Sequence, residues 1–180
     1  MRKIILIILF ITCKIVIAQS IELKKSDTIN QVDAMGKRQG FWIITNKLLN
    51  KPDYKPEQKV EEGRYTASKK IGKWIEYFPN NNIKSKINYE NNKPNGYAIL
   101  YHDNGKIKEE GLWKNNRWVG EYKLYYENGE VQQEFNFNES GKREGKQIYY
   151  YDNGHVMSEG NWQLGKEAGL PKEYSENGDL

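Results

Sequence analysis

The chain holds one cysteine, Cys13, two histidines, His102 and His155, and five prolines among 180 residues. Each scarcity removes a class of chemistry. Cys13 sits in an N-terminal apolar stretch, and with residues 1–18 read as a cleaved leader the mature chain has no thiol. It then forms no disulfide, uses no thiolate nucleophile and holds no metal through sulfur, which suits an oxidising compartment. His102 and His155 each flank an Asn-Gly pair, and residues such as Tyr126 and Glu130 fill the equivalent places elsewhere, so the pattern makes no demand for imidazole. Calcium-loop, zinc-helix and P-loop spacings are missing. Ser158 and Ser175 stand in no nucleophile elbow, and no glycine-rich loop leads from a strand into a helix. These absences predict a protein that is not an enzyme and that uses no cofactor and no metal.

A long apolar run is also lacking. Met1-Arg2-Lys3, the apolar stretch Ile4 to Ile11 and Val16-Ile17-Ala18 have the order of a secretory signal peptide cut after Ala18. Lys14 interrupts the stretch, which is short for a spanning helix. Lipidation at Cys13 and an uncleaved anchor are the alternatives. The expected location is therefore outside the inner membrane: periplasm, outer-membrane surface or extracellular space. Arg2, Lys3 and Lys14 leave with the leader, so 25 basic side chains face 24 acidic ones in what remains. A nearly neutral chain gives no electrostatic case for nucleic acid. Nothing in it singles out a membrane surface either.

What the sequence has in abundance is repetition. Gly72, Gly96, Gly120, Gly145 and Gly169 recur at intervals of 24, 24, 25 and 24 residues, and Tyr77, Tyr101, Tyr125, Tyr150 and Tyr174 follow each by five. Asn104-Gly105, Asn128-Gly129, Asn153-Gly154 and Asn177-Gly178 come next, with Asn80-Asn81 in the first such place. A period of this length means a repeat array in which each unit contacts mainly its neighbours. Asn-Gly between alternating runs predicts a hairpin with a type I′ turn, both central residues at positive φ. The structural turns would then be Asn104 and Gly105, Asn128 and Gly129, and Asn153 and Gly154. That register pairs Gly96 with Trp113, Ala98 with Gly111, Leu100 with Glu109 and His102 with Ile107. It also pairs Tyr122 with Phe135, Tyr126 with Val131, Gly145 with Trp162 and Tyr151 with Val156. Each closing glycine faces an aromatic ring, as though the ring restored surface over bare backbone. The opposite face, with Tyr125 beside Gln132, Lys123 beside Glu134 and Ile148 beside Glu159, reads as mixed and wet. Asp103, Glu127, Asp152 and Glu176 precede the turns in register and suggest a cation ladder, which local turn bonding explains more simply.

Two departures interrupt the pattern. Residues 19–32 read as a flexible lead-in and 33–180 as the repeat domain. Gly40 with Tyr65 and Trp42 with Gly63 begin that domain, on either side of an inserted loop, residues 46–59, containing Pro52 and Pro56. At the other end Leu170 to Ser175 has no return strand and is expected to be an edge, with Pro171 opposing edge pairing. Trp118, assigned to a loop from Lys114 to Gly120, is a candidate exposed contact. With Tyr101, Tyr125, Tyr150 and Tyr174 it makes up the candidate partner surface.

The unit Tyr-x-x-Asn-Gly-x-Ile-x-x-Glu-Gly-x-Trp followed by Gly-x-Tyr-x-x-Tyr resembles the MORN repeat in its bacterial variant, over Asp33 to Leu180. The resemblance implies an elongated all-β protein, a single-layer antiparallel sheet of stacked hairpins used for protein contacts and dimerisation, and no catalytic residues. Exported bacterial proteins of this kind are often described as antitoxin-like. Asn81, Ile87, Phe135, Pro171 and the insertion depart from the pattern. The expected function is an exported interaction scaffold with an immunity-like role for a protein partner, and with weak homodimerisation through its last units. The alternative is a carbohydrate- or lipid-surface binder using the aromatic ladders.

Overall fold

Alternating side chains with glycine and asparagine at fixed intervals leave each segment one stable arrangement, a strand paired with the strands on either side of it in sequence. The computed structural model describes residues 28–180; the leader, Cys13 and most of the lead-in lie outside the described residues. The strands are β1 (Gln31–Val32), β2 (Arg38–Thr45), β3 (Lys59–Thr66), β4 (Lys69–Tyr77), β5 (Ile83–Glu90) and β6 (Lys93–Tyr101). They continue as β7 (Ile107–Lys114), β8 (Arg117–Tyr125), β9 (Val131–Phe137), β10 (Gly145–Tyr150), β11 (Val156–Gln163) and β12 (Lys166–Glu173). One turn of helix, α1 (Asn46–Leu49), interrupts them. The twelve strands form one antiparallel sheet in strict sequence order, with no second layer among the described residues.

Mid-strand pairing follows the expected register: Gly96 opposes Trp113, Ala98 opposes Gly111, Leu100 opposes Glu109, Tyr122 opposes Phe135 and Gly145 opposes Trp162. Gly40 opposes Tyr65, and Trp42 opposes Gly63 across the insertion. The turns differ from the expectation. Gly105, Gly129 and Gly154 have φ of 86°, 94° and 85°, whereas Asn104, Asn128 and Asn153 are not in the positive-φ region. His102 O accepts the Gly105 N–H, and His102 N–H donates to Lys106 O, so the loop has three residues and ends in a bulge. The register therefore slips by one beside each turn. Tyr101, not His102, pairs with Ile107; Tyr125, not Tyr126 or Gln132, is the partner of Val131; Tyr150, not Tyr151, pairs with Val156. The two-residue turns with both φ positive lie on the other edge of the sheet, at Ala67-Ser68, Asn91-Asn92, Asn115-Asn116 and Leu164-Gly165.

The closing glycines also have a different cause from the one expected. A Cβ at Gly120 would meet nothing within 4 Å, so no ring presses on it; its φ of 71° is what excludes other residues. At Gly120 the pairing of β7 with β8 shifts, Gly111 opposing Tyr122 and Leu112 opposing Val119. The glycine is thus a bulge residue. Gly120 and Glu121 lie between the paired Val119 and Tyr122, an addition of two residues that keeps Trp118 and Tyr122 on one face.

The one interval of 25 residues marks the weakest join between β2 and β12. Where other units have a two-residue turn, Asn138 to Lys142 forms a longer loop closed by Gly141 at φ 71°. Strands β9 and β10 pair only at Glu134 with Ile148 and Gln133 with Tyr149, plus an isolated bridge from Phe137 to Arg143. Gln147, 1% exposed, fills the gap by donating its amide to the carbonyls of Asn136, Glu144 and Gly145. At the array's ends, Gln31 and Val32 of the expected lead-in pair with β2, and Asn30 caps β2 through Phe41 O and Ile43 N–H. Among the described residues strand β12 pairs with β11 on one side only and is exposed along its length.

Candidate functional site

The sheet offers two faces and two edges, and alternation decides which side chains reach each. On the first face Trp42, Tyr65, Trp74 and Tyr89 pack in series, with ring centroids 5.8, 4.8 and 6.5 Å apart. The series resumes with Trp113, Trp118, Tyr122, Phe135 and Tyr149, at 4.4, 5.1, 6.2 and 5.1 Å. Glycine makes room for it. A Cβ on Gly63 would come within 2.3 Å of the Trp74 ring, and one on Gly111 within 3.2 Å of the Trp118 ring.

The residue two places before Gly40, Gly72, Gly120 and Gly145 lies over these rings. Arg38 sits 4.7 Å from the Trp42 centroid, Lys70 4.1 Å from Trp74 and Arg143 4.3 Å from Phe135. Trp118 holds the same place. It belongs to β8, not to a loop, and pairs with Trp113 across the hairpin. Its ring is a neutral substitute for the cations above the other rings, half-buried against Trp113 and Tyr122.

Tyr101, Tyr125, Tyr150 and Tyr174 fall on the opposite face, so the structure does not bring Trp118 together with them. Their hydroxyls are largely committed. Tyr125 donates to Glu110 at 2.6 Å, Tyr150 to Glu134 at 3.0 Å and Tyr174 to Glu159 at 3.2 Å, while Tyr77 donates to Glu62. Lys123 bridges to Glu134 at 2.8 Å and Lys146 to Glu159 at 2.6 Å, giving a row of Tyr-Glu-Lys clusters. Tyr101 breaks the row because Lys86 replaces the carboxylate, its ammonium 5.2 Å from the ring centroid. On the same face Tyr97 and Leu112 oppose each other and stay 51% and 41% exposed.

These clusters set the pH range of the fold. The Lys123 hydrogen bond draws the Glu134 carboxyl below its usual value of 4.5, against burial and with help from Tyr150. In Glu76, burial raises the value, but hydrogen bonds from Lys84 and Lys51 outweigh it and leave it lowered. Burial, then Glu134, pushes Tyr150 up from 10.0 to about 12, and burial with Glu110 pushes Tyr125 up as well. A lowered carboxyl stabilises above its unfolded value and loses that contribution as pH falls through the folded one; a raised phenol stabilises below its unfolded value and loses it as pH rises. The expected melting temperature is flat from about pH 5 to about pH 10 and falls on both sides, which a thermal series followed by circular dichroism checks.

Along the three-residue turns runs a ladder that sequence reasoning missed. The Asn80 side chain donates to Asp103 O at 2.9 Å, Asn104 to Glu127 O at 3.0 Å, Asn128 to Asp152 O at 2.8 Å and Asn153 to Glu176 O at 3.0 Å. The same side chains accept the amides of Asn82, Lys106, Glu130 and His155, each at 2.9 Å. The asparagines are therefore there for their two-sided amide. The acidic residues before the turns contribute backbone carbonyls, and no group of three or more metal-ligating side chains gathers among the described residues.

A second ladder runs beside the first. Tyr54, Tyr126 and Tyr151 hydroxyls donate to the carbonyls of Tyr77, Tyr150 and Tyr174 at 2.7, 2.7 and 2.9 Å. His102 takes a tyrosine's place, its Nε2 3.0 Å from Tyr125 O, and since a carbonyl only accepts, that nitrogen carries the proton. The insertion belongs to both ladders: Tyr54 supplies one rung, and Gln58 reaches Pro79 O as the turn asparagines reach theirs. It is a docked first turn, with Asn46 buried beneath it and bonded to the carbonyls of Lys51 and Tyr54.

Among the described residues no helix is long and apolar enough to cross a membrane. No curated protein matches the chain in sequence. The MORN repeat variant, by contrast, matches at 70–91, 94–115, 118–139 and 143–163, four consecutive repeats that each begin shortly after one two-residue turn or the long loop before β10 and end at or beside the next. With the hairpin unit, the glycine bulge and these four matches in hand, the chain belongs to the MORN-repeat family.

Proposed function

We propose that this chain is an exported, non-enzymatic scaffold that binds a protein partner through the faces of its sheet, in an immunity-like role outside the inner membrane. MORN repeats are in general protein- or membrane-binding modules without catalytic activity of their own. The observation that carries the choice of a protein partner is the state of the rings. Trp74 and Trp118 pack over Gly63 and Gly111, and the hydroxyls of Tyr125, Tyr150 and Tyr174 are bound to carboxylates. Few rings are left as open platforms for sugars. Tyr97 and Leu112 add an apolar patch within a charged face, the composition of a protein contact. Weak self-association through the C-terminal units is part of the reading, because β12 presents an unpaired edge. Export rests on the leader-like order of residues 1–18.

The test is affinity capture from the organism's own envelope fraction with the chain beginning at Gln19. One protein should be retained in stoichiometric amount and lost with the double variant Tyr97→Ser, Leu112→Ser. Retention of glycan or lipid vesicles without protein would favour the carbohydrate- or lipid-binding alternative.

A further inference from the structure

The chain carries five Asn-Gly pairs; Asn95-Gly96 lies within β6, its Nδ2 donating to Glu90 Oε2 at 2.6 Å, and the other four, at Asn104, Asn128, Asn153 and Asn177, occupy three-residue turns with all four asparagines exposed. Asn-Gly is the dipeptide most prone to spontaneous deamidation, because glycine has no side chain to shield its nitrogen or hinder rotation toward the preceding carboxamide. Water reaches all four, so exposure does not distinguish them. Nor does the attacking nitrogen, since the amides of Gly105, Gly129, Gly154 and Gly178 are each hydrogen-bonded to the first carbonyl of their turn.

The carboxamides do differ. Asn104, Asn128 and Asn153 are each held at both ends, Nδ2 on the next turn's carbonyl and Oδ1 on the amide two residues on. Asn177 has neither bond among the described residues. Among the described residues no turn stacks on its own, and the Asp179 amide, which Asn177 Oδ1 would otherwise accept, donates to Ser175 Oγ at 3.2 Å. Ser175 stands where His102, Tyr126 and Tyr151 stand in the other turns.

We infer that Asn177 is a site of spontaneous deamidation and that the turn ladder protects the other three. The Gly178 nitrogen, on losing its proton, attacks Cγ of Asn177. A bond from that nitrogen to Cγ forms, the bond from Cγ to Nδ2 breaks, and Nδ2 leaves as ammonia after taking up a proton. Water then opens the cyclic imide at either carbonyl to aspartate or isoaspartate, with no change of oxidation state. The product has a new negative charge between Glu176 and Asp179 and no Nδ2 donor, so the last turn can no longer offer the rung that every earlier turn offers.

The test is peptide mass spectrometry of the full chain held in mildly alkaline buffer, with a parallel sample in denaturant. In the folded chain Asn177 should convert about tenfold faster than Asn128, the difference expected from two hydrogen bonds, and the rates should converge on unfolding. Ser175→Ala, which frees the Asp179 amide for Asn177 Oδ1, should slow conversion at Asn177 alone. Asn104, Asn128 or Asn153 converting as fast as Asn177 in the folded chain would overturn the assignment, as would an unchanged rate in the serine variant.

Discussion

Trp74→Ala should lower stability by about 3–5 kcal/mol, the range for removing a large buried ring. The side chain is 3% exposed, packs between Tyr65 and Tyr89, lies under the Lys70 ammonium and donates its indole N–H to Arg64 O at 3.1 Å. It joins Trp42, Ile44 and Tyr65 in a cluster of buried apolar side chains, and a single-layer sheet has no opposing layer to collapse into the space. Alanine also removes the indole N–H that donates to Arg64 O. Because units in such an array contact mainly their neighbours, the loss should be local. Hydrogen exchange should accelerate in β2 to β5 and change little in β11 and β12; uniform acceleration would mean that the array unfolds as one body.

Gly63→Val should cost about 3 kcal/mol, the upper part of the range for overpacking, although its backbone conformation is open to any residue. The added Cβ would lie 2.3 Å from Trp74 Cδ2 and 2.5 Å from Cε2, and a ring held by Tyr65, Tyr89 and its own N–H bond cannot step aside. The two substitutions occupy the same space. Combined, they should cost clearly less than their sum in a denaturant series, the mark of coupled sites. Additive costs would show that the glycine serves the backbone and not the ring.

That contrast between glycines marks where sequence reading stopped. Both kinds sit in strands at a fixed period, so pattern alone reveals the hairpins, the pairing of Gly40 with Tyr65 across the insertion and the edge at β12. It does not reveal cause. Gly120 is required by positive φ and Gly63 by a ring, and only the backbone angle and the neighbouring strand tell them apart. Trp118 was misplaced for a related reason: Asn115-Asn116 is a two-residue turn without glycine, so the run after it looked like loop instead of strand. The asparagine ladder was hidden because its rungs join residues 23 or 24 apart, a separation with meaning only once units are stacked. One signal could have exposed it. Asn128 needs no positive φ in a three-residue loop, so its persistence called for another use of the amide.

The join between β9 and β10 gives the molecule a mechanical character. Tension applied across the strands loads the rows of inter-strand bonds in series, and the series yields where a row is poorest. Apart from the two-residue β1, itself held by two pairs, that row is the one with two ladder pairs and a bridge, where the other rows have five or six. It is fastened chiefly by the Gln147 amide and by Arg143, whose guanidinium spans from the Phe135 ring to that of Trp162, 4.3 and 4.7 Å away. Stretched between β2 and β12, the sheet would part there first, leaving β2 to β9 and β10 to β12 as separate pieces on one thread. A partner gripping the last three strands is thus connected to the rest through a fuse, set to release at a lower force than the hairpins on either side of it.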